Sequence, residues 1–501
     1  EYYRSRGYWL NNSMSKVFSF ENHELAGAII PQGGTSYTSD YNTESWLSRA
    51  QYNYSEKYFF SGSYLRQASS RFHPDHRWGN FWSVGGGWLI NKESWFHAPW
   101  VDELKLKASY GENGNDQITD CLYTTYYSVT NLNDEISLVP ASLGNENITW
   151  EKNGKFNAGV DFSLFNGRLS GSAEFYFNKT IDMLSWLPLP TSFGWTGYYT
   201  NIGNVINRGV EVNLSGDIIR TKDLTWSLYA NFTTNHNEVT KLAPERKLNY
   251  VDGVEGFASG TNFYGEGVSI YTFYLPKYAG VYYNEENPND PDNGKAQYYR
   301  NVYKVDENGN QVLDAKGHPI VTGRETTTVY SEADQYLCGD ALPDVYGGFG
   351  TSLSWKGFDF SVDFTYQLGG LVYDSTYAGL MNLTQGYGIH IDMLNAWSLN
   401  NTGSNIPRMQ FNDVNMASSS DRFLTSASYL SLQNVTIGYT LPKSWTSKIG
   451  LQGLRFYVVG DNLWTWSKRQ GLDPRQSITG SASADHYSSV RTISGGLTVT
   501  F

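Results

Sequence analysis

The last thirteen residues, Ser489–Phe501, place the tightest limit on what this chain can fold into. Ile493, Gly495, Leu497, Val499 and Phe501 alternate with Thr492, Ser494, Gly496, Thr498 and Thr500. Successive side chains of an extended strand point to opposite faces, so one face here is apolar and the other hydroxyl-rich. The same alternation recurs upstream. Leu169, Gly171, Ala173, Phe175 and Phe177 oppose Ser170, Ser172, Glu174, Tyr176 and Asn178. Leu224, Trp226, Leu228, Ala230 and Phe232 oppose Thr225, Ser227, Tyr229, Asn231 and Thr233. Phe358, Phe360, Val362, Phe364, Tyr366 and Leu368 oppose Asp359, Ser361, Asp363, Thr365 and Gln367.

Taken in order, the pattern predicts about fourteen or fifteen strands. Residues 1–32 show little periodicity, with one short strand at Glu24–Ile30 before a polar stretch, Pro31–Thr43. Regular strands follow at Trp46–Tyr54, Tyr58–Gln67, Phe81–Ile90, Leu104–Tyr110, Trp150–Phe165 and Arg168–Asn178. They continue at Val205–Ile218, Leu224–Thr234, Val345–Trp355, Phe358–Leu368, Ser428–Leu441 and Leu454–Trp466. Short connections fall near residues 55, 92, 166, 221, 356 and 445, and long ones near 73, 130, 190, 290, 395 and 478. Strict alternation of short and long puts every long loop at one end of an up-and-down array. A propeller or a row of sandwiches has no reason to do this, whereas an outer-membrane barrel does. The expected fold class is all-β: a transmembrane, antiparallel, up-and-down β-barrel with long extracellular loops and short periplasmic turns. Its apolar face meets lipid, its polar face meets a wet lumen or a plug, and Phe501 ends in the periplasm.

Composition supports this reading. A chain of 501 residues with 16% aromatics is too large for one soluble core, and no Pro/Ser-rich linker divides it. No run of about 18 apolar residues suggests a transmembrane helix, but a barrel strand of about ten alternating residues escapes hydropathy averaging. The 38 Tyr and 16 Trp suit an apolar–aqueous boundary. Trp95, Trp100, Trp355 and Trp445, at the ends of short connections, are expected to anchor the periplasmic interface. A net charge of −12 without a basic stripe argues against a nucleic-acid partner.

The sequence contains no HExxH, CxxC or GxSxG spacing, so no catalytic set, metal site or cofactor is expected. Gly265-Glu266-Gly267 lacks the third glycine of a dinucleotide loop. Asp290, Asp292, Asn293 and Gly294 resemble part of a calcium loop, but Pro291 interrupts the spacing and no Glu occupies the twelfth position, which favours a solvated turn. Cys121 and Cys338 both fall in expected outer loops, where an oxidising exterior permits a bridge.

Several stretches resemble the SusC-like TonB-dependent transporters of Bacteroidetes outer membranes. They are SSRFHPDHRWGNF (69–81), LKLKASYGENGN (104–115), LGNENITWE (143–151), NIGNVINRG (201–209), YGGFG (346–350), LQNVTIGYTLP (432–442), DNLW (461–464) and GLDP (471–474). They occur in family order across residues 45–501. The resemblance implies a barrel of about 22 strands, an N-terminal plug filling it, a TonB-contacting segment before the plug, and a SusD-like surface lipoprotein closing over the mouth. Plug and TonB-contacting segment are not visible here, so residues 1–501 are expected to be the C-terminal barrel portion of a longer protein. Asp461 and Asn462, in a family stretch, are expected to serve barrel structure.

The implied activity is TonB-dependent import, with oligosaccharide cargo as the first reading and peptide cargo as the second. From another class, a passive porin or a surface adhesin stays open. Ligand contacts are expected from loop aromatics: Tyr126, Tyr127, Trp186, Trp195, Tyr198, Tyr199, Tyr264, Tyr271 and Tyr274. Flat aromatic faces stack on sugar rings, and Tyr hydroxyls add hydrogen bonds. The structural alternative is that these rings pack the loops together or dock the lipoprotein. Asp116 and Asp120 are further candidates for sugar hydroxyls or a peptide amine.

Overall fold

The computed structural model describes residues 1–17, 24–383, 386, 388–411, 413, 415–469, 471–482 and 488–501. Among the described residues its main sheet has fifteen strands: fourteen form a meander in chain order, and His236–Lys241 pairs off this path with Asn204–Arg220. Those of the meander are β1 (Tyr2–Val17), β2 (Ala28–Tyr54), β3 (Tyr58–Ser69), β4 (Trp78–Leu89), β5 (Val101–Asn115), β6 (Glu151–Leu164) and β7 (Leu169–Ile181). Then come β8 (Asn204–Arg220), β9 (Leu224–Thr234), β10 (Val345–Trp355), β11 (Phe358–Leu368), β12 (Tyr429–Thr440), β13 (Gly453–Ser467) and β14 (Thr492–Thr500). The chain divides into two compact units, one of Glu1–Gly87, Ala108–Phe156 and Asn178–Asn204, the other of Trp88–Lys107, Asn157–Phe177 and Val205–Phe501.

In the first unit, β1 pairs with β2 from Tyr2↔Glu44 to Val17↔Ala28, and β2 with β3 from Thr43↔Ser69 to Tyr54↔Tyr58. The expectations for residues 1–43 need correction. Tyr2–Val17 is a strand, Leu25–Gly27 is a turn of 3-10 helix, and the polar stretch 31–43 continues β2. Both faces of this hairpin carry Ser, Thr, Asn and Tyr, so no apolar period of two marks it. The backbone ladder holds it, with Trp9 stacked on Tyr37 across the pair at 6.2 Å. The buried core of this unit is Phe72, Phe81, Leu122, Ile148 and Trp150.

In the second unit the expected alternation appears as registered lanes. Phe358 faces Tyr439, Tyr439 faces Phe456, and Phe456 faces Leu497. Further along, Val362 faces Val435 and Val435 faces Gly460. The next lane is Phe364–Leu432–Trp464. Between these last two lanes β11 has one residue (Asp363), β12 two (Gln433, Asn434) and β13 three (Asp461, Asn462, Leu463). Successive bulges thus add a residue per strand while keeping the apolar side chains in line. Asn462 supports this with φ of 51°, and Asp461 accepts a 2.7 Å hydrogen bond from the Asn434 side-chain amide. This is the structural duty expected of the pair. The turn between β10 and β11 is Lys356-Gly357, both with positive φ (47° and 90°), as a two-residue hairpin of this twist requires.

The polar face carries ion pairs. Lys107 lies 3.0 Å from Asp161 and 2.9 Å from Glu174. Arg455 on β13 donates to Asp359 on β11 at 3.0 Å, passing over Gly438 of the intervening β12.

Short and long connections alternate less strictly than expected. The short connection over residues 90–100 outruns the long one over residues 70–77, because it carries a 3-10 turn at Ile90–Lys92. The expected long loops also contain structure. A hairpin, Tyr126–Leu132 with Glu135–Ser142, interrupts residues 116–150. Residues 237–343 form a five-stranded and a three-stranded sheet of their own.

Candidate ligand-binding loops

The nine loop aromatics fall into two groups. In the first unit, Leu184–Pro188 pairs with Gly197–Asn201, which sets Trp186 opposite Tyr199 and Leu187 opposite Tyr198. The Trp186 and Tyr199 rings meet edge to face at 5.1 Å. Tyr126 and Tyr127 start the neighbouring hairpin. Tyr126 packs with Tyr199 against the Phe72–Trp150 core, and burial pushes its hydroxyl above the ordinary value. Tyr127 stays exposed and its ring lies 5.7 Å from Trp195. These rings therefore do two jobs: Tyr126 and Tyr199 hold the loops on the core, while Tyr127 offers surface with the half-buried Trp195 beside it.

In the second unit, Tyr264 and Tyr274 lie on strands of the five-stranded sheet, Asn262–Gly265 and Thr272–Pro276, and Tyr271 in the turn just before the latter. Tyr264 stacks on Phe257 at 5.0 Å and 11°. Tyr271 packs on the buried Phe273, Leu275 and Ala341. Tyr274 leans on Phe263 at 5.2 Å and lines a cavity of about 690 Å³. Burial raises the hydroxyls of both Tyr264 and Tyr274 above their usual range.

The two acidic candidates are already engaged. Asp116 accepts from the Tyr41 hydroxyl at 2.9 Å and the Ser69 hydroxyl at 2.7 Å. Asp120 accepts from Arg71 at 2.8 Å, and Arg71 lies over the Tyr41 ring at 4.3 Å. Asp116 thereby ties β2 and β3, and Asp120 the segment just after β3, to the connection that follows β5.

The segment at Asp290 is a closed turn. Asp290 accepts from the Tyr282 hydroxyl and the Asn284 amide, each at 3.2 Å, and from Asp292 N at 2.9 Å. Arg408 donates to the carbonyls of Pro291 and Asn293 from outside. Among the described residues no group of three or more His, Cys, Asp or Glu side chains is arranged to hold a metal. Cys121 and Cys338 are both free thiols, Cys121 exposed and Cys338 half-buried. Burial pushes the Cys338 thiol up to about 11.

Sequence reasoning missed other residues of the 690 Å³ cavity. Its wall includes Tyr250, Tyr303, Arg324 and Tyr336 from four different strands, and Asp334 from the connection just before the last of them. No spacing in the sequence joins them; the five-stranded sheet carries Tyr250 and Tyr336, and the three-stranded sheet Tyr303 and Arg324.

A profile of the family described as "TonB dependent receptor-like, beta-barrel" matches residues 3–463. TonB-dependent receptor P3 of Formosa agariphila is 31% identical over 95% of this chain and 47% of its own length. TonB-dependent receptor SusC of Bacteroides thetaiotaomicron is 30% identical over 93% of this chain and 44% of its own length. The chain spans about half the length of the curated relatives it matches. The RagAB peptide transporter superimposes with a TM-score of 0.78 at 27% identity, covering 100% of this chain and 52% of the other. With its polar and apolar faces, meander order and loop sheets, the chain belongs to the TonB-dependent receptor-like β-barrel family, among its SusC-like members.

Proposed function

We propose that residues 1–501 work as the C-terminal barrel portion of a TonB-dependent importer in the bacterial outer membrane, and that the cargo is oligosaccharide. The observation that carries the cargo reading is the aromatic surface of the loops. Tyr127 is exposed beside the half-buried Trp195, while Trp186 and Tyr199 pack edge to face on the paired strands. Aromatic faces held this way suit the apolar faces of sugar rings.

In this reading the plug and the TonB-contacting segment lie outside residues 1–501, and a SusD-like lipoprotein covers the loops. Lipid meets the Phe364 and Leu228 face. Trp95, Trp100, Trp355 and Trp445, all exposed, sit at the periplasmic interface with Phe501 below them. Work is done by differential binding between closed and open states, driven from the inner membrane.

A peptide cargo is the second reading, and the similarity to the RagAB peptide transporter favours it. The test is mass analysis of what copurifies with the complete protein from native membranes, with uptake measured in cells with and without TonB. Oligosaccharide masses and TonB-dependent uptake support the first reading. Peptide masses move the assignment to the second. A lone barrel passing solutes without TonB makes it a porin.

A further inference from the structure

We propose that the sheets within residues 237–343 carry a saccharide-binding site of their own, built on Tyr250 and separate from the Tyr127–Trp195 surface. The proposal rests on the oligosaccharide reading and adds a place where part of the cargo is held. Tyr250 belongs to the short strand Asn249–Val251 and remains 43% exposed. An exposed tyrosine normally keeps its rotamer freedom, and fixing it costs entropy. Here one face is covered by the His318 imidazole, 3.9 Å away and tilted by only 6°.

His318 is itself clamped. Its Nε2 lies 3.1 Å from Glu255, and its backbone amide donates to Asp314 at 2.9 Å. Glu255 is in turn 3.4 Å from Lys247, which reaches Glu266 at 2.9 Å. Tyr250 is thus a plane braced from behind, and a braced plane meets a flat ligand with its ordering cost already met.

The plane borders the cavity of about 690 Å³, within the size range of small-ligand sites. The rest of the wall supplies hydrogen-bonding groups and is net acidic, with Asp252, Asp314 and Asp334 against the single cation Arg324 among the described lining residues. Arg324 lies 3.1 Å from Asp252 and over the Tyr336 ring at 4.4 Å, so its charge is met within the wall. The Asp334 carboxylate accepts from the Asn301 backbone amide, and the Asn301 side chain accepts from the Tyr336 hydroxyl at 2.9 Å. Tyr274 and Tyr303 add two phenols. Among the described lining residues the one cation, Arg324, already has a carboxylate partner, so a phosphate or sulfate meets a net-acidic wall. A neutral ring with one apolar face and a rim of hydroxyls, a pyranose, matches both the plane and the wall.

The test is calorimetric titration of the complete protein, with its natural partner, using a panel of neutral linear glucans and mannans. Wild type is compared with Tyr250→Ala, Tyr250→Phe and, as a control on the other surface, Trp195→Ala. The expected result is about ten-fold weaker binding, or roughly 1.4 kcal/mol, in Tyr250→Ala and near-wild-type binding in Tyr250→Phe, which keeps the ring. Wild-type affinity in Tyr250→Ala, or an equal loss in Tyr250→Phe, overturns the site while leaving oligosaccharide import standing. Failure of the wild type to bind any glycan, with peptides binding instead, overturns both.

Discussion

Two regions of the same unit are built from alternating strands and turn them opposite ways. In the wall, β8–β14, the large apolar side chains are exposed: Leu228 is 41%, Trp464 50% and Leu497 56% accessible. In the sheets within residues 237–343 they are enclosed: Phe273, Leu275, Tyr298 and Tyr336 are each 1% accessible. The local chemistry is the same, so alternation by itself does not say which solvent a strand faces. A wall strand keeps its greasy side outward because lipid is there. The loop sheets stand in water and must hide theirs.

The largest effect that separates the two regions is expected at Phe273. Its removal in Phe273→Ala empties the centre of the loop core and costs about 3–5 kcal/mol locally. Hydrogen exchange should then quicken in Thr272–Pro276 and Gln335–Asp340, which pair with each other, and leave β9–β13 protected. Equal loosening of the wall would break the comparison, because it would make loop and wall one cooperative unit.

A somewhat smaller effect is expected on the wall. Leu228→Lys or Phe364→Lys puts a charge into lipid and costs about 2–4 kcal/mol near mid-membrane. Phe364 also loses its 5.0 Å stack on Phe349. Exchange of Asp363 or Asn231 for other polar residues should cost far less. Urea titration of protein folded into vesicles reads the difference, and equal tolerance of both faces rules out a lipid-facing wall.

The thiols give a milder chemical contrast. Cys338 donates to the carbonyls of Leu275 and Tyr336, and its burial raises its pKa to about 11. It should stay protonated and unreactive toward a maleimide at neutral pH, while the exposed Cys121 labels. Rapid labelling of Cys338 below pH 8 would mean the loop sheets open readily.

How much of this was legible beforehand follows from the same contrast. Leu224–Thr234, Val345–Trp355 and Phe358–Leu368 were readable to the residue because one face is apolar and the turn signals are sharp. The β1–β2 hairpin was not, since a ladder between two polar faces leaves no period in the side chains. The bulges at Gln433–Asn434 and Asp461–Leu463 were hidden for a different reason. Each strand alone looks regular, and the extra residues show only against the partner. Of the nine loop aromatics, the Trp186–Tyr199 pairing follows from a short hairpin. The Tyr250–His318 stack joins residues far apart in sequence and has no local signature.

The smallest expected effect concerns the other face of the wall. Arg455 and Asp359 sit on β13 and β11 and pair across β12 only because residue 438 is glycine. A Cβ there would come within 2.5 Å of the Arg455 guanidinium and the Asp359 carboxylate. Both partners keep about a third of their side-chain surface exposed (32% and 35%). If water fills the lumen beside them, Arg455→Ala should cost only about 0–1 kcal/mol, and high salt should shrink even that. If a plug packs dryly on this face in the complete protein, the same change strands a desolvated carboxylate and costs about 3–5 kcal/mol, with little response to salt. Comparing the variant's stability at low and high salt, with and without the rest of the protein, therefore reports what the polar face of the wall meets.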